Sequence, residues 1–495
     1  MTESHSRMHL LEVVRRTTVE ERQARGRQAR EHRPRTSIAT FSPAAERPDP
    51  VALLASQETV RRQLLLPLRH SRMAANAFSF YRGSAIIMAN DLGAMPSTQL
   101  VVQLCGDAHL SNFGLYGAPD RSVVFDINDF DETNPGPFEW DVLRLATSFV
   151  LAGRQNGLSA STSAKAARTA AREYRQQISA FAGTSDLDTW YSRIDVDTLS
   201  TWASEFDSRK GAKAIDKGVE SARERTGWTA LAKTTEMVDG HRRWLRQPPL
   251  LIPVDIDSDG AQALIRLMDS YRETLARDRQ LLLHRYHVID LAHKVVGVGS
   301  VGLLAFVLLM EGRDAGDVIA LQAKQAVTSV LEPFTGASEL QSSSLRVVAG
   351  QQLMQAASDV FLGHATTTVG RDYYVRQLRD MKFAPDPSAL DAGSLPGYAV
   401  FCGRALARAH ARAGDAVAID AYLGTSDKFD QAVEAFSTAY ADQVEADFRR
   451  YTQAIAAGEV NATMVGDVAD YRVVSTPTGI DIIDPMVPSS PASRG

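Results

Sequence analysis

With 495 residues and 44% hydrophobic content, the chain is long enough to bury a large core and is expected to divide into two lobes or domains. Its net charge of -5 gives no support for nucleic-acid binding by the chain as a whole, and no apolar run reaches membrane-spanning length. The N-terminus lacks the basic, apolar, small-residue order of a secretory signal, so a cytoplasmic protein is expected. Cys105 and Cys402 are too few for a disulfide framework or a metal cluster, and both sit in apolar surroundings that suit buried thiols.

Residues 10–32 have the composition of a polar helix, with an arginine-rich patch from Arg22 to Arg35. Two readings are open there: a solvated arm, or a contact for an anionic partner. A Pro-rich segment, residues 42–50, separates the arm from residues 60–92, where the apolar spacing is mostly helical with a break near Phe80-Tyr81-Arg82-Gly83. Arg82, at that break, suits either a structural ion pair or contact with a phosphate or an active-site carboxylate.

The chemistry concentrates in Gly106-Asp107-Ala108-His109-Leu110-Ser111-Asn112-Phe113-Gly114, followed by Asp129-Phe130-Asp131. Phosphoryl transfer needs one carboxylate beside the attacking hydroxyl and two oxygen ligands for the magnesium that bridges the nucleotide phosphates. An Asp and an Asn five positions apart in a tight loop, then a hairpin ending in a further Asp, can supply all three. Residues 113–116 and 123–125 read as the hairpin's strands, joined by Ala118-Pro119-Asp120-Arg121. Asp126 and Asp129 both stand near the second strand's end, and Asp129 has the better spacing to Asp141 in Pro137-Phe138-Glu139-Trp140-Asp141-Val142.

No lysine occurs upstream of Lys165, so a lysine that pairs with nucleotide phosphates must come from downstream. Residues 148–293 read as chiefly helical, broken at Pro248-Pro249 and Pro253. Then Val295-Val296-Gly297-Val298-Gly299-Ser300-Val301-Gly302, an apolar run over 303–310, the turn Glu311-Gly312-Arg313-Asp314 and residues 318–324 read as strand, glycine-rich turn, strand, turn, strand. A dinucleotide fold would have the third glycine open a helix, whereas the apolar run after Gly302 suits a strand. Glycines let backbone amides approach phosphates, and Lys324 adds charge. Residues 342–361 have helical spacing, 373–378 read as a strand, 398–410 as a helix, and the Pro- and Ser-rich last twenty or so residues as a loose tail.

The Asp107 to Asn112 loop resembles the catalytic loop of the protein-kinase-like superfamily, particularly its aminoglycoside and choline kinase branch. There a Gly-Asp-x-His-x-x-Asn loop precedes an Ile-Asp-Phe-Asp-like metal site, and Asp141 falls where that branch carries an Asp-Leu-Ala-like helix start. Residues from about 47 to 448 are similar to a bacterial family called domain of unknown function 2252. The kinase resemblance implies Asp107 as catalytic base, Asn112 and Asp129 as metal ligands, and ATP and Mg2+ as cofactors. Gly297, Gly299, Gly302 and Lys324 take the place of its nucleotide-binding residues. Residues 342–361 would orient the lysine, with Glu332 or Glu339 as its acidic partner, and residues 373–378 would lead to an adenine-holding hinge. The sequence departs from the pattern at Cys105, where those kinases usually have His. Residues 398–410 resemble the helix that precedes the catalytic loop in the small-molecule kinases, yet here lie near the C-terminus, which implies a circular permutation.

The expected fold is therefore α+β, a protein-kinase-like two-lobed fold, circularly permuted, with a mostly helical large lobe and a small antiparallel-sheet lobe. Residues 1–50 form a helical arm and linker, 51–293 the large-lobe catalytic core, 294–382 the nucleotide-binding lobe, 383–460 helices completing the large lobe, and 461–495 a tail. The expected activity is ATP-dependent phosphoryl transfer to a hydroxyl of a small-molecule acceptor. Adenylyl transfer to a protein hydroxyl and nucleotide sensing without turnover are the alternatives, and a binding module would have no need of a base.

Overall fold

A computed structural model describes residues 17–206, 210–224, 227–295, 297–378, 381–462, 471–476 and 479–483. The protein is mixed α+β, mostly helical, with small antiparallel sheets. Its helical layer centres on Glu139–Gln155, buried along nearly its whole length and packed on Ala160–Ala182. Small residues allow Ser394–Ala413 to approach the latter closely: a Cβ on Gly403 would lie 2.4 Å from the Ala170 carbonyl oxygen. Lys428–Ala456 packs against both Glu139–Gln155 and Ala160–Ala182.

Four short strands border this layer. β1 (Val101–Leu104) pairs with β4 (Asn134–Pro137), and between them β2 (Phe113–Gly117) pairs with β3 (Val123–Ile127) as a hairpin. A second hairpin, β5 (Thr235–Val238) and β6 (His241–Trp244), precedes a six-stranded sheet. That sheet takes β7 (Leu251–Val254), β8 (His287–Lys294), β9 (Ala305–Glu311), β10 (Val318–Ala326), β11 (Gly363–Thr366) and β12 (Asp372–Gln377) in the order β11-β12-β10-β9-β8-β7. β9 is covered on both faces: Phe306, Leu308 and Met310 pack towards the helix Asp259–Glu273, while Val307 and Leu309 pack with Trp244 and Leu231. Cover on both sides explains why its sequence is an unbroken apolar run rather than an alternating one.

Three expectations need refinement. Residues 148–293 are chiefly helical, but β5 to β8 also lie there and the six-stranded sheet begins at Leu251, so the boundary set at residue 294 cuts it. Pro253 is tolerated because β7 is an edge strand, and β8 hides its pattern behind buried polar residues, Asp290 accepting from the Trp244 amide at 2.6 Å. The basic arm, described from residue 17, is a helix with most of its residues exposed, but one face is packed. Val19–His32 lies on Ala416–Leu423, with Arg22 and Arg25 paired to Asp415 and Arg30 and Arg35 donating to carbonyls at that helix's end. Helix C-terminal carbonyls carry partial negative charge, so they occupy the arginines internally. Finally, the C-terminal segment is partly ordered: β13 (Arg472–Thr476) and β14 (Gly479–Ile483) form a hairpin, and the buried Tyr471 hydroxyl meets His293 Nδ1 at 2.8 Å. Residues 484–495 of the expected tail lie outside the described residues.

Among the described residues no helix is long and apolar enough to cross a membrane. Both cysteines are free and buried.

Candidate functional site

The loop after β1 is held from below by the helix that follows β4. Asp141, in that helix's first turn, accepts from the amides of Cys105 at 2.8 Å and Gly106 at 3.1 Å. His410 Nε2 lies 3.2 Å from the same carboxylate, and Tyr174 meets the other ring nitrogen at 2.9 Å. Gly106 has φ +84°, and a Cβ there would lie 2.3 Å from the Glu132 carbonyl oxygen, so only glycine suits both the backbone conformation and the close approach. His410 was not anticipated from the sequence; nothing local marks a histidine that acts 269 residues away from Asp141.

Asp107 follows directly. Arg144 donates to its Oδ1 through Nε at 2.9 Å and Nη2 at 2.7 Å, while His109 Nε2 stands 3.6 Å from Oδ2, beyond hydrogen-bonding reach. Burial raises the Asp107 pKa above the usual carboxylate value, with Arg144 acting in the opposite direction; burial also keeps His109 neutral. Asn112 Nδ2 donates to the Asp107 carbonyl at 2.9 Å, which leaves Oδ1 as the amide's available ligand atom.

The hairpin delivers four acidic side chains with different fates. Asp126 is buried against Arg408, whose Nη2 lies 2.6 Å from both of its oxygens, and also accepts from the Ala356 amide. Both of its oxygens are thus taken by a buried guanidinium, and it is not among the residues that line the cavity. Asp129, Asp131 and Glu132 instead line one cavity with Asp107 and Asn112. Lys324 pairs with Asp131 Oδ2, Tyr374 donates to Oδ1 at 2.8 Å, and Ser300 from the glycine-rich loop donates at 3.2 Å. Lys324 and Tyr374 stand opposite each other on β10 and β12, which explains why both reach one carboxylate.

This pairing corrects the expected partner of Lys324. Neither Glu332 nor Glu339 takes that place: Glu332 instead accepts from the Ser329 amide at 3.1 Å and lies 3.6 Å from Arg346. The helix Ser343–Met354 contributes the buried Arg346, which donates to the carbonyls of Thr133, Asp131 and Val327 and thereby fixes the acidic loop. Burial opposes ionisation of Asp131, but Lys324 and Tyr374 hold its pKa below the usual value. Asp129 shifts upward through burial and the neighbouring Asp131 charge. Burial pushes Glu132 up to about 7; the Val330 amide and Arg346 oppose the shift, while the charges of Asp131 and Asp107 add to it.

The cavity holds about 860 Å³ of space, including part open to solvent. Its lining also contains Gly297, Val298, Gly299 and Ser300, together with Arg61, Arg69 and Arg82. Gly302 and Lys324 are set back from the lining: Gly302, at φ +94°, packs against Arg61, and Lys324 is buried behind Asp131. Of the arginines, only Arg82 stood out in the sequence. The absence of lysine before residue 165, beside arginines at 61, 62, 69, 72 and 82, was the available signal. The strand that would lead to a hinge is β12; residues 379 and 380 lie outside the described residues, and the chain meets β2 where Phe383 bridges Leu115.

The oxygen donors Asn112 and Asp129 fit magnesium, while Asp131 beside them is engaged by Lys324, Ser300 and Tyr374. This ion favours hard oxygen ligands and usually combines one or two carboxylates with phosphate oxygens and water. Among the described residues no group of three or more His, Cys, Asp or Glu is arranged to hold a metal. The fit is therefore to a shared site rather than an all-protein cage.

Asp126 and Asp129 should behave oppositely on substitution. Removing one partner of a buried ion pair costs about 3–5 kcal/mol, so Asp126→Ala should lower unfolding stability by that order, whereas Asp129→Ala, which frees no buried arginine, should leave it within about 1 kcal/mol. Denaturant titration of both variants measures this; equal losses would remove the distinction.

A mixed α+β chain with a charged cleft between an acidic loop and a glycine-rich loop is the class that fold and site define. The chain belongs to the family described as "Uncharacterized protein conserved in bacteria (DUF2252)", whose model matches residues 61–454. No curated protein and no solved structure matches it.

Proposed function

We propose that the protein is an ATP-dependent phosphotransferase that acts on a hydroxyl of a small-molecule acceptor, built as a circularly permuted, kinase-like pair of lobes. The observation that carries this reading is the shared cavity: Asp107, Asn112, Asp129 and Asp131 line it together with Gly297, Gly299 and Ser300, although about 170 residues separate the two groups. In this reading Arg144 holds one oxygen of Asp107, and the carboxylate orients the acceptor hydroxyl and takes its proton. Asn112 and Asp129 would hold magnesium, with Asp131 beside them. When bound, the ion would neutralise phosphate charge. Residues 297–300 would cover the phosphates, and Lys324 would fix Asp131 and the strand register around it.

A thermal-shift titration tests the site. Ligand that binds only the folded state raises stability by about 2.7 kcal/mol at 100 times its dissociation constant, so ATP with magnesium should raise the melting temperature of the wild type. Asp129→Ala should lose the magnesium-dependent part. No shift in the wild type at millimolar nucleotide would count against the proposal.

Magnesium affinity should also depend on pH. Below about 7 Glu132 is protonated and neutral; above it the carboxylate adds negative charge to the cavity, so magnesium binding should strengthen as pH rises through about 7. Calorimetry at pH 6 and pH 8 should show this gain in the wild type and a smaller one in Glu132→Gln.

A further inference from the structure

Two cations at the cleft have carboxylate partners, Arg144 with Asp107 and Lys324 with Asp131. Arg61, Arg69 and Arg82, on the cavity wall, have none within ion-pair distance among the described residues. Arg61 gives Nη1 to the Val301 carbonyl at 2.7 Å, and Arg69 gives Nη2 to the Gly83 carbonyl at 2.7 Å. The Arg82 side chain makes no hydrogen bond among the described residues, and its guanidinium carbon stands 5.8 Å from the Phe78 ring centre. The Nε atoms of all three are buried without an acceptor.

This arrangement is costly unless something answers it. Arg61 is 7% exposed and Arg69 1%, and burial depresses the basicity of all three, Arg61 to about 9. Cations gathered around one cavity need a counter-charge: the carboxylates that act on them, Glu58, Glu132, Asp107 and Asp131, all stand beyond ion-pair distance, and Asp107 and Asp131 already have cationic partners. Guanidinium groups present paired N–H donors that match the oxygens of a phosphate.

We propose that Arg61, Arg69 and Arg82 form a phosphate site that needs no metal, and that its occupant is the terminal phosphate of the donor nucleotide. The second half rests on the phosphotransferase reading; the oxyanion site itself does not. The donor is favoured over a phosphorylated acceptor because this arginine segment also holds the glycine-rich loop. Besides the Arg61 contact with Val301, the Arg62 amide donates to the Gly302 carbonyl at 2.8 Å and Arg72 Nη1 to the Gly297 carbonyl at 2.6 Å. The loop that would cover the donor's phosphates and the arginines that would grip them are thus one assembly.

The test is a calorimetric titration of the full chain with inorganic tripolyphosphate in the presence of EDTA. Saturable binding is expected, weakened at least tenfold in Arg82→Ala and less in Arg82→Lys, which keeps the charge but not the paired donors. Because the Arg82 side chain makes no hydrogen bond among the described residues, both variants should fold, and their melting temperatures check this. Saturating ATP should displace tripolyphosphate. Unchanged tripolyphosphate affinity in Arg82→Ala and also in Arg61→Lys overturns the site. Tripolyphosphate binding that persists under saturating, bound ATP with magnesium assigns the phosphate to the acceptor and overturns the donor assignment. Failure of the phosphotransferase reading looks different: tripolyphosphate binds through Arg82, but no phosphate leaves ATP, which removes the donor assignment alone.

Discussion

Asp107→Asn should lower phosphoryl transfer by about 10²–10⁴-fold while nucleotide affinity stays close to that of the wild type. The amide preserves size and keeps an oxygen for Arg144, which now donates twice to Oδ1, but it lacks the basicity needed to take the acceptor's proton. Arg144 is 3% exposed, so loss of its counter-charge should also reduce stability, and turnover must be compared well below the variant's melting temperature. Single-turnover kinetics beside calorimetric nucleotide binding separates the two effects. Equal loss of binding and turnover would make Asp107 a ligand or a structural residue rather than a base.

The second large effect is expected at Lys324. Its pair with the half-buried Asp131 joins the sheet to the acidic loop, so Lys324→Met should cost stability, towards the lower end of about 3–5 kcal/mol, as well as activity, by leaving Asp131 without its cation. Burial alone would depress the Lys324 pKa, but Asp131 and Tyr374 raise it, so the side chain is charged. Adding Asp131→Asn to Lys324→Met removes the stranded carboxylate and should restore much of the stability without restoring turnover. Denaturant titration and kinetics on the single and double variants complete the cycle. Recovery of turnover in the double variant would make the pair purely structural.

The catalytic-loop segment was readable because its polar residues fall within a short, turn-bounded stretch where local chemistry and local geometry coincide. Gly106, Asp107, Asn112 and Asp129 needed no long-range information to be singled out, and the strands β2, β9, β10 and β12 followed from apolar runs bounded by turns. The partner of Lys324 was not readable in this way. Asp131 lies 193 residues from it, and the pairing depends on the register that sets Lys324 opposite Tyr374. Spacing favoured Asp129 over Asp126, but the reason Asp126 is engaged elsewhere, Arg408 brought in by a distant helix, could not be read from it. β8 was obscured because buried Asp290 and His293 interrupt its apolar pattern, and the arm's arginines resembled a solvated face because their acceptors are the distant Asp415 and, for Arg30 and Arg35, backbone carbonyls that leave no trace in sequence. The arginine wall was visible only as an excess of one residue type, and its meaning depends on the cavity that gathers it.

The most direct measurement is to incubate the protein with magnesium and ATP labelled at either the alpha or the gamma phosphate, with a panel of small hydroxyl acceptors and water, and follow which label leaves the nucleotide. Magnesium-dependent transfer of the gamma label, strongly reduced in Asp107→Asn, is the result predicted. Transfer of the alpha label, or release of neither label by a protein that binds ATP, would contradict phosphoryl transfer as its activity.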